Sequence, residues 1–212
     1  MSQTVGGQKK LRRYWEENYE KFLNQPVPDP DWKVKAIGYQ PWPALFNREM
    51  DFFERYTARC LFDRFLPSLD GKTALDIGCG TGRWVRLLTG YGAKVTGVDL
   101  VRDLLAENKK ELPRIPFSAM AAYELGFKNE TFDLVSAPIV LQHIPPVEKK
   151  QALDEIRRVL KRGGLFFLLE TLPGTGEGDG QTSWLLCEEE WRRSLEIRGF
   201  EILEIRPLHG YP

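Results

Sequence analysis

The chain has 212 residues, of which 42% are apolar and 28% charged, enough for one sizeable core and consistent with a single domain. Thirty basic and thirty acidic residues cancel, so no global field recruits nucleic acid or an anionic membrane. The longest wholly apolar run, 165–169, is far below the roughly 20 residues a membrane-spanning helix needs. The polar start MSQTVGGQKK has no apolar signal core, so a cytoplasmic location is expected. Cys60, Cys79 and Cys187 match neither a disulfide framework nor a zinc site and read as reduced thiols, and no metal is expected.

In chain order, residues 11–23 place Leu11, Trp15 and Tyr19 four apart, with Phe22 three beyond, giving one apolar helical face. The stretch NQPVPDPDW ends that helix with prolines at alternate positions. A second helix is predicted over 47–65, its stripe formed by Phe52, Phe53, Tyr56, Cys60 and Phe65, before Pro67 stops it. Residues 1–70 therefore read as a helical extension and 71–212 as the core. Trp32, Tyr39, Trp42 and Phe46 are candidates for the wall of a small-molecule pocket, with plain core packing as the alternative.

From Lys72 onward strands and helices alternate: TALDIG, KVTGVDL, IPFSAM, FDLVSAP and LFFLLE, with helices predicted over 81–88, 104–112 and 147–160. Near-continuous apolar strands separated by amphipathic helices indicate an α/β fold, a doubly wound and mostly parallel sheet covered on both faces. After a helix over 188–198, GFEILEIRPL reads as a sixth strand, with little room left for a seventh. A homodimer is one way to cover the sheet edge this leaves. The segment LPGTGEGDGQTSW, rich in glycine, follows the fifth strand and is expected to be a mobile loop.

In such sheets ligands bind beyond the carboxyl ends of the strands, where chain order reverses, and the first strand-to-helix turn lies there. That turn is ALDIGCGTG, with Gly78, Gly80 and Gly82 at alternate positions. Glycine permits positive φ and removes the Cβ that would hold a ligand off the backbone. Amides at the start of the following helix offer positive dipole to an anion, while Asp76 offers a negative charge to a cation or donor. A ligand carrying both signs suits this turn better than a pyrophosphate. Asp99, ending the second strand, can accept both hydroxyls of a ribose. The dinucleotide fingerprint G-x-G-x-x-G needs its third glycine at position 83, which here is Arg83.

These residues resemble the first motif of class I S-adenosylmethionine-dependent methyltransferases, D-x-G-C-G-T-G. The likeness continues through Asp99, FKNETFDLV leading into VLQHIP, and LKRGGLFFLLE, over roughly residues 70–170. The resemblance implies a Rossmann-like sandwich that binds S-adenosyl-L-methionine and releases S-adenosyl-L-homocysteine. Gly78, Gly80 and Gly82 would line the cofactor, Asp76 would serve its amine, Asp99 its ribose, and Leu100 would pack on adenine. Ser136 matches a position whose backbone often meets the methionine part. The W-x-x-x-Y helix resembles family helices that fold over the cofactor as a lid, bringing Tyr14 or Tyr19 to the methionine carboxylate or the acceptor. Where the family often has D-A-x-x-L-P-F, this chain reads Ala121-Ala122-Tyr123-Glu124-Leu125-Gly126-Phe127. Adenine would then be held by backbone near Ala122, with Tyr123 or Glu124 as substitutes for the missing acid.

Methyl transfer from a sulfonium is an in-line displacement, for which proximity and alignment can supply about 7–11 kcal/mol. A general base is optional. His143, after the fourth strand, is the first candidate, set against a structural role; Glu170, ending the fifth, is the second, set against a strand-end cap. The sequence thus favours a methyltransferase acting on a small-molecule acceptor, with no nucleic-acid or membrane partner. A NAD-dependent oxidoreductase and a non-catalytic cofactor-binding protein are the alternatives.

Overall fold

The computed structural model describes residues 2–24, 33, 43–66, 68–173, 180 and 182–208, with side chains of the first helix from Leu11 onward. Two long helices, α1 (Ser2–Leu23) and α2 (Ala44–Phe65), precede the alternating core. The core runs β1 (Thr73–Ile77), α3 (Arg83–Gly90), β2 (Lys94–Asp99), α4 (Arg102–Glu111), β3 (Phe117–Ala119) and β4 (Phe132–Pro138). A 3-10 turn (Leu141–His143), α5 (Pro146–Val159), β5 (Leu160–Leu169) and α6 (Glu188–Glu196) complete it. The candidate wall residues Trp32, Tyr39 and Trp42, the proline-rich breaker, and 174–179 and 181 of the glycine-rich loop lie outside the described residues.

All strand pairs are parallel and the order is β3-β2-β1-β4-β5, the mostly parallel sandwich that the sequence pattern indicates. Strand residues alternate between two cores because side chains on a strand point to opposite faces. Leu75, Ile77, Val135 and Ala137 pack with Leu153, Ile156 and Trp191. Ala74, Val95, Leu134 and Phe167 pack with Ala58 and Phe62 of α2 and with Trp84, Val85 and Leu88 of α3. The helical extension therefore shares a core with the sheet.

Two expectations are corrected here. No sixth strand forms among the described residues: 201–208 has no regular structure, and the outer edge of β5 carries no partner strand among them. Instead Phe166 and Phe200 rings meet with centroids 5.6 Å apart, and Glu204 is drawn to Arg64 of α2 at 2.7 Å. The buried face of α2 is also not the aromatic stripe. Asn47, Met50, Glu54, Ala58 and Phe62 are buried, whereas Phe52, Phe53 and Tyr56 are exposed. Both faces have helical periodicity, and the one chosen carries the carboxylates that meet a buried cation on α3.

Candidate cofactor cleft and active site

The site lies at the carboxyl ends of β1 and β4, where the strand order reverses. Asp76 and Ser136 are register partners there, both fully buried, on the face covered by α2 and α3. Ser136 Oγ donates to Asp76 Oδ1 at 2.7 Å, while Asp76 Oδ2 has no partner. Burial pushes the Asp76 carboxyl up to about 7, against the Ser136 hydrogen bond that draws it down. An orphaned buried carboxylate oxygen is costly, on the order of 1–3 kcal/mol or more. It marks a place for a donor, and a primary ammonium fits.

Gly78, Gly80 and Gly82 all adopt positive φ, at +63°, +48° and +76°. They do not share one reason. A Cβ on Gly80 would make only ordinary van der Waals contact, with Tyr19 Oη at 3.7 Å and the Gly78 carbonyl at 3.9 Å, so it would clash with nothing. A Cβ on Gly78 would lie 2.4 Å from Val140 Cγ2, and one on Gly82 would lie 3.1 Å from Asn108 Oδ1. Those two glycines admit the protein's own side chains.

The Gly80 peptide is fixed from both sides. Its N–H donates to Asp99 Oδ2 at 2.8 Å, and its carbonyl accepts from Asn108 Nδ2 at 2.7 Å. Asp99 Oδ1 accepts from the Val101 N–H at 2.9 Å. Asp99 thus ties the glycine turn to the end of β2. Beyond it, Leu100 lines a small cavity of about 230 Å³ with Ala121, Met120, Tyr123 and Arg12. Ala122 is buried in the opposite core, beside Val98 and Leu125.

Helix α1 lies across this cleft. Arg12, Trp15 and Tyr19 fall three and four residues apart on one face. Arg12 borders the Leu100 cavity, Trp15 meets the His143 ring edge-to-face with centroids 4.8 Å apart, and Tyr19 places its hydroxyl over Gly80. Burial and the charge of Asp99 both raise the Tyr19 phenol. Tyr14 lines the same cleft and is more exposed.

The two candidate bases are both engaged. His143 Nδ1 is 2.8 Å from the Thr182 carbonyl, which fixes the ring proton on that nitrogen, and Nε2 lies 3.3 Å from Gln142 Nε2. Glu170 accepts the N–H groups of Val140, Leu141 and Gln142 at 3.3, 2.8 and 2.8 Å, capping the 3-10 turn. Burial pushes its carboxyl up to about 8 against those bonds.

Arg83, noticed in the sequence only as an obstacle to a dinucleotide, opens α3 beside the glycine turn. Its Nη1 lies 2.8 Å from Asp51 Oδ1 and 2.6 Å from Glu54 Oε2, both on α2 and all three nearly buried. The signal available in the sequence was an acid pair three apart in an apolar helix. No spacing connects it to Arg83. The main cavity, about 1650 Å³, extends from this cluster and the glycine turn to the edge of β5. That exceeds the 300–1,000 Å³ of typical small-molecule sites, so a nucleoside and an acceptor can share it.

Residues 75–168 match the family described as a methyltransferase domain. A demethylmenaquinone methyltransferase of Lysinibacillus sphaericus is 36% identical over 107 residues, covering 48% of this chain and 45% of that one. An uncharacterized methyltransferase of Synechocystis is 28% identical over 145 residues, covering 63% and 68%. The chain thus spans less than half the length of the first of these relatives. Among solved structures, an S-adenosylmethionine-dependent methyltransferase from Mesorhizobium loti superposes with TM-score 0.59 at 22% identity, over 68% of this chain and 81% of that one. The [4+2]-cyclase SpnF superposes with TM-score 0.60 at 26% identity, over 71% and 59%. Residues 75–168 thus carry a methyltransferase domain, and the sheet around them has the fold of that S-adenosylmethionine-dependent methyltransferase.

Proposed function

We propose that the protein is an S-adenosyl-L-methionine-dependent methyltransferase that acts on a small-molecule acceptor in the cytoplasm. The observation that carries this reading is the orphaned Asp76 Oδ2, buried at the end of β1 just before the glycine turn. A ligand with an ammonium at one end and a ribose further along matches Asp76 and Asp99 in turn. When bound, S-adenosyl-L-methionine supplies the methyl group. Asp76 holds the amine, Asp99 accepts from the ribose hydroxyls, Leu100 and the backbone near Ala122 flank the adenine, and Gly78 and Gly82 shape the turn. Ser136 orients Asp76. Residues 1–70 act as the lid and 71–212 as the core, with Tyr19 and Trp15 excluding water from the reacting centre.

Both His143 nitrogens and both Glu170 oxygens have partners, which supports transfer by proximity without a dedicated base. We assign His143 to the seating of α1 and Glu170 to the cap of the 3-10 turn. The open edge of β5 supports a homodimer, which light scattering tests.

Stabilisation by S-adenosyl-L-homocysteine and none by NAD is the expected thermal-shift result; a ligand at 100 times its Kd adds about 2.7 kcal/mol. The reverse result would install the oxidoreductase reading. Because the [4+2]-cyclase SpnF has the same fold, binding by itself does not establish transfer. A mass-spectrometric screen of apolar and aromatic metabolites for gain of one CH2 decides between turnover and binding only.

A further inference from the structure

The helical extension does more than cover the cleft. Asp51 and Glu54 project from α2 onto the first residue of α3, so two carboxylates from one element converge on a single guanidinium from another. Asp51 also meets Arg55 on its own helix at 2.6 Å, through its second oxygen. The Asp51 contact with Arg83 is a hydrogen bond, whereas the Glu54 contact is close but lacks hydrogen-bond alignment. Burial works against the charge on Arg83, and Glu54 and Asp51 more than offset it.

Only Nη1 of Arg83 is spent on these acids. Among the described residues, Nε and Nη2 have no hydrogen-bond partner, while the guanidinium stacks over Trp84 at 5.1 Å. Arg83 lines the cleft beside Gly78, Gly80 and Tyr19, and its charge is felt at both Asp76 and Tyr19. The other described cations that line this cavity, Arg157, Lys161, Arg192 and Arg206, come from α5, β5, α6 and the C-terminal segment. Among the described residues that line this cavity, Arg83 is the cation beside the glycine turn, placed for the carboxylate of an amino-acid group whose ammonium meets Asp76.

We infer that Asp51 and Glu54 are positioning residues that hold the Arg83 guanidinium for the carboxylate at the amino-acid end of the cofactor. The inference rests on the S-adenosylmethionine reading and adds a dependence of cofactor affinity on α2. A planar guanidinium pinned through one nitrogen keeps a fixed orientation, so its remaining donors are pre-organised for a carboxylate. Released from α2, the side chain would regain rotamer freedom and bind the same group less tightly.

The test compares two ligands on the full chain by titration calorimetry: S-adenosyl-L-homocysteine, which has the amino-acid end, and 5′-methylthioadenosine, which lacks it. Asp51→Asn should weaken the first by about tenfold, the scale of one hydrogen bond to a charged group, and Glu54→Gln by several-fold, since it removes charge attraction alone. Both should leave the second within about twofold, since no nucleoside contact changes. Arg83→Met should weaken the first as much or more. Equal losses for both ligands, or no loss for either, would overturn the inference while leaving the cofactor reading intact. If neither ligand binds the unsubstituted chain, the cofactor reading falls and the inference with it. Because Asp51→Asn leaves Glu54 in place, it gives an independent answer should Glu54→Gln fail to fold.

Discussion

Ser136 Oγ lies 2.7 Å from Asp76 Oδ1, across neighbouring parallel strands and out of contact with water. The hydroxyl occupies one carboxylate oxygen and leaves the other, buried, without a partner. Ser136→Ala should therefore not empty the site but loosen its acid. Cofactor affinity should fall by about 1–2 kcal/mol, and its pH dependence should move upward because the hydrogen bond that lowers the Asp76 carboxyl is gone. Binding titrations from pH 6 to 9 measure both effects; an unchanged profile would mean that Ser136 serves only the fold.

The pH dependence of stability has a definite sign. The Asp76 and Glu170 carboxyls are raised in the folded chain, to about 7 and about 8, from 3.8 and 4.5. The native state thus holds protons that the unfolded state gives up. Their contribution is fully present below about pH 4 and is lost as pH rises toward 8. Asp76→Asn should flatten that decline by on the order of 2–4 kcal/mol, read from urea unfolding at pH 5 and pH 8.5. Binding of an amine at Asp76 reverses the preference and should release a proton near pH 6 but not at pH 8.5. Calorimetry in buffers of different ionisation enthalpy detects it.

Gly78 and Gly80 should fail in different ways. Gly78→Ala drives a Cβ to 2.4 Å from Val140 and should destabilise the fold, with partial recovery on adding Val140→Ala. Gly80→Ala meets only ordinary contacts, so unfolding should shift by only about 1 kcal/mol, the cost of a left-handed alanine. Its affinity for S-adenosyl-L-homocysteine should nevertheless drop by more than about tenfold, since the methyl group occupies ligand volume. Melting curves beside binding isotherms separate the two.

The lid contact is testable through rates. Trp15→Ala removes the edge-to-face contact with His143, worth about 0.5–1.5 kcal/mol, and should speed ligand dissociation several-fold with little change in melting. His143→Asn should lower turnover by less than about tenfold, whereas loss of a true general base costs about 10²–10⁴-fold. A loss in the larger range would restore His143 as the base and remove the seating role. Stopped-flow displacement and steady-state rates supply the readings.

Much of the core was legible in the chain. The strand and helix periods, and the spacing from Asp76 through Gly82 to Asp99, are properties of neighbours along the sequence, and each requires only local backbone geometry. They were enough to place β1 through β5 and the cleft. The C-terminal strand was misread because GFEILEIRPL has strand composition, yet a strand exists only when another edge pairs with it. Phe200 and Glu204 found side-chain partners on β5 and α2 instead.

What the sequence determined by itself was the order of the layers, the strand exit that must stay bare, and the two acids that flank it. Tertiary structure decided that Gly78 and Gly82 abut Val140 and Asn108 while Gly80 lies beneath Tyr19. It also decided which face of α2 is buried, and that Arg83 answers to acids about thirty positions earlier. The division has a physical reason: periodicity and turn geometry are set within a few residues, whereas the approach of side chains from separate elements is set by how those elements pack.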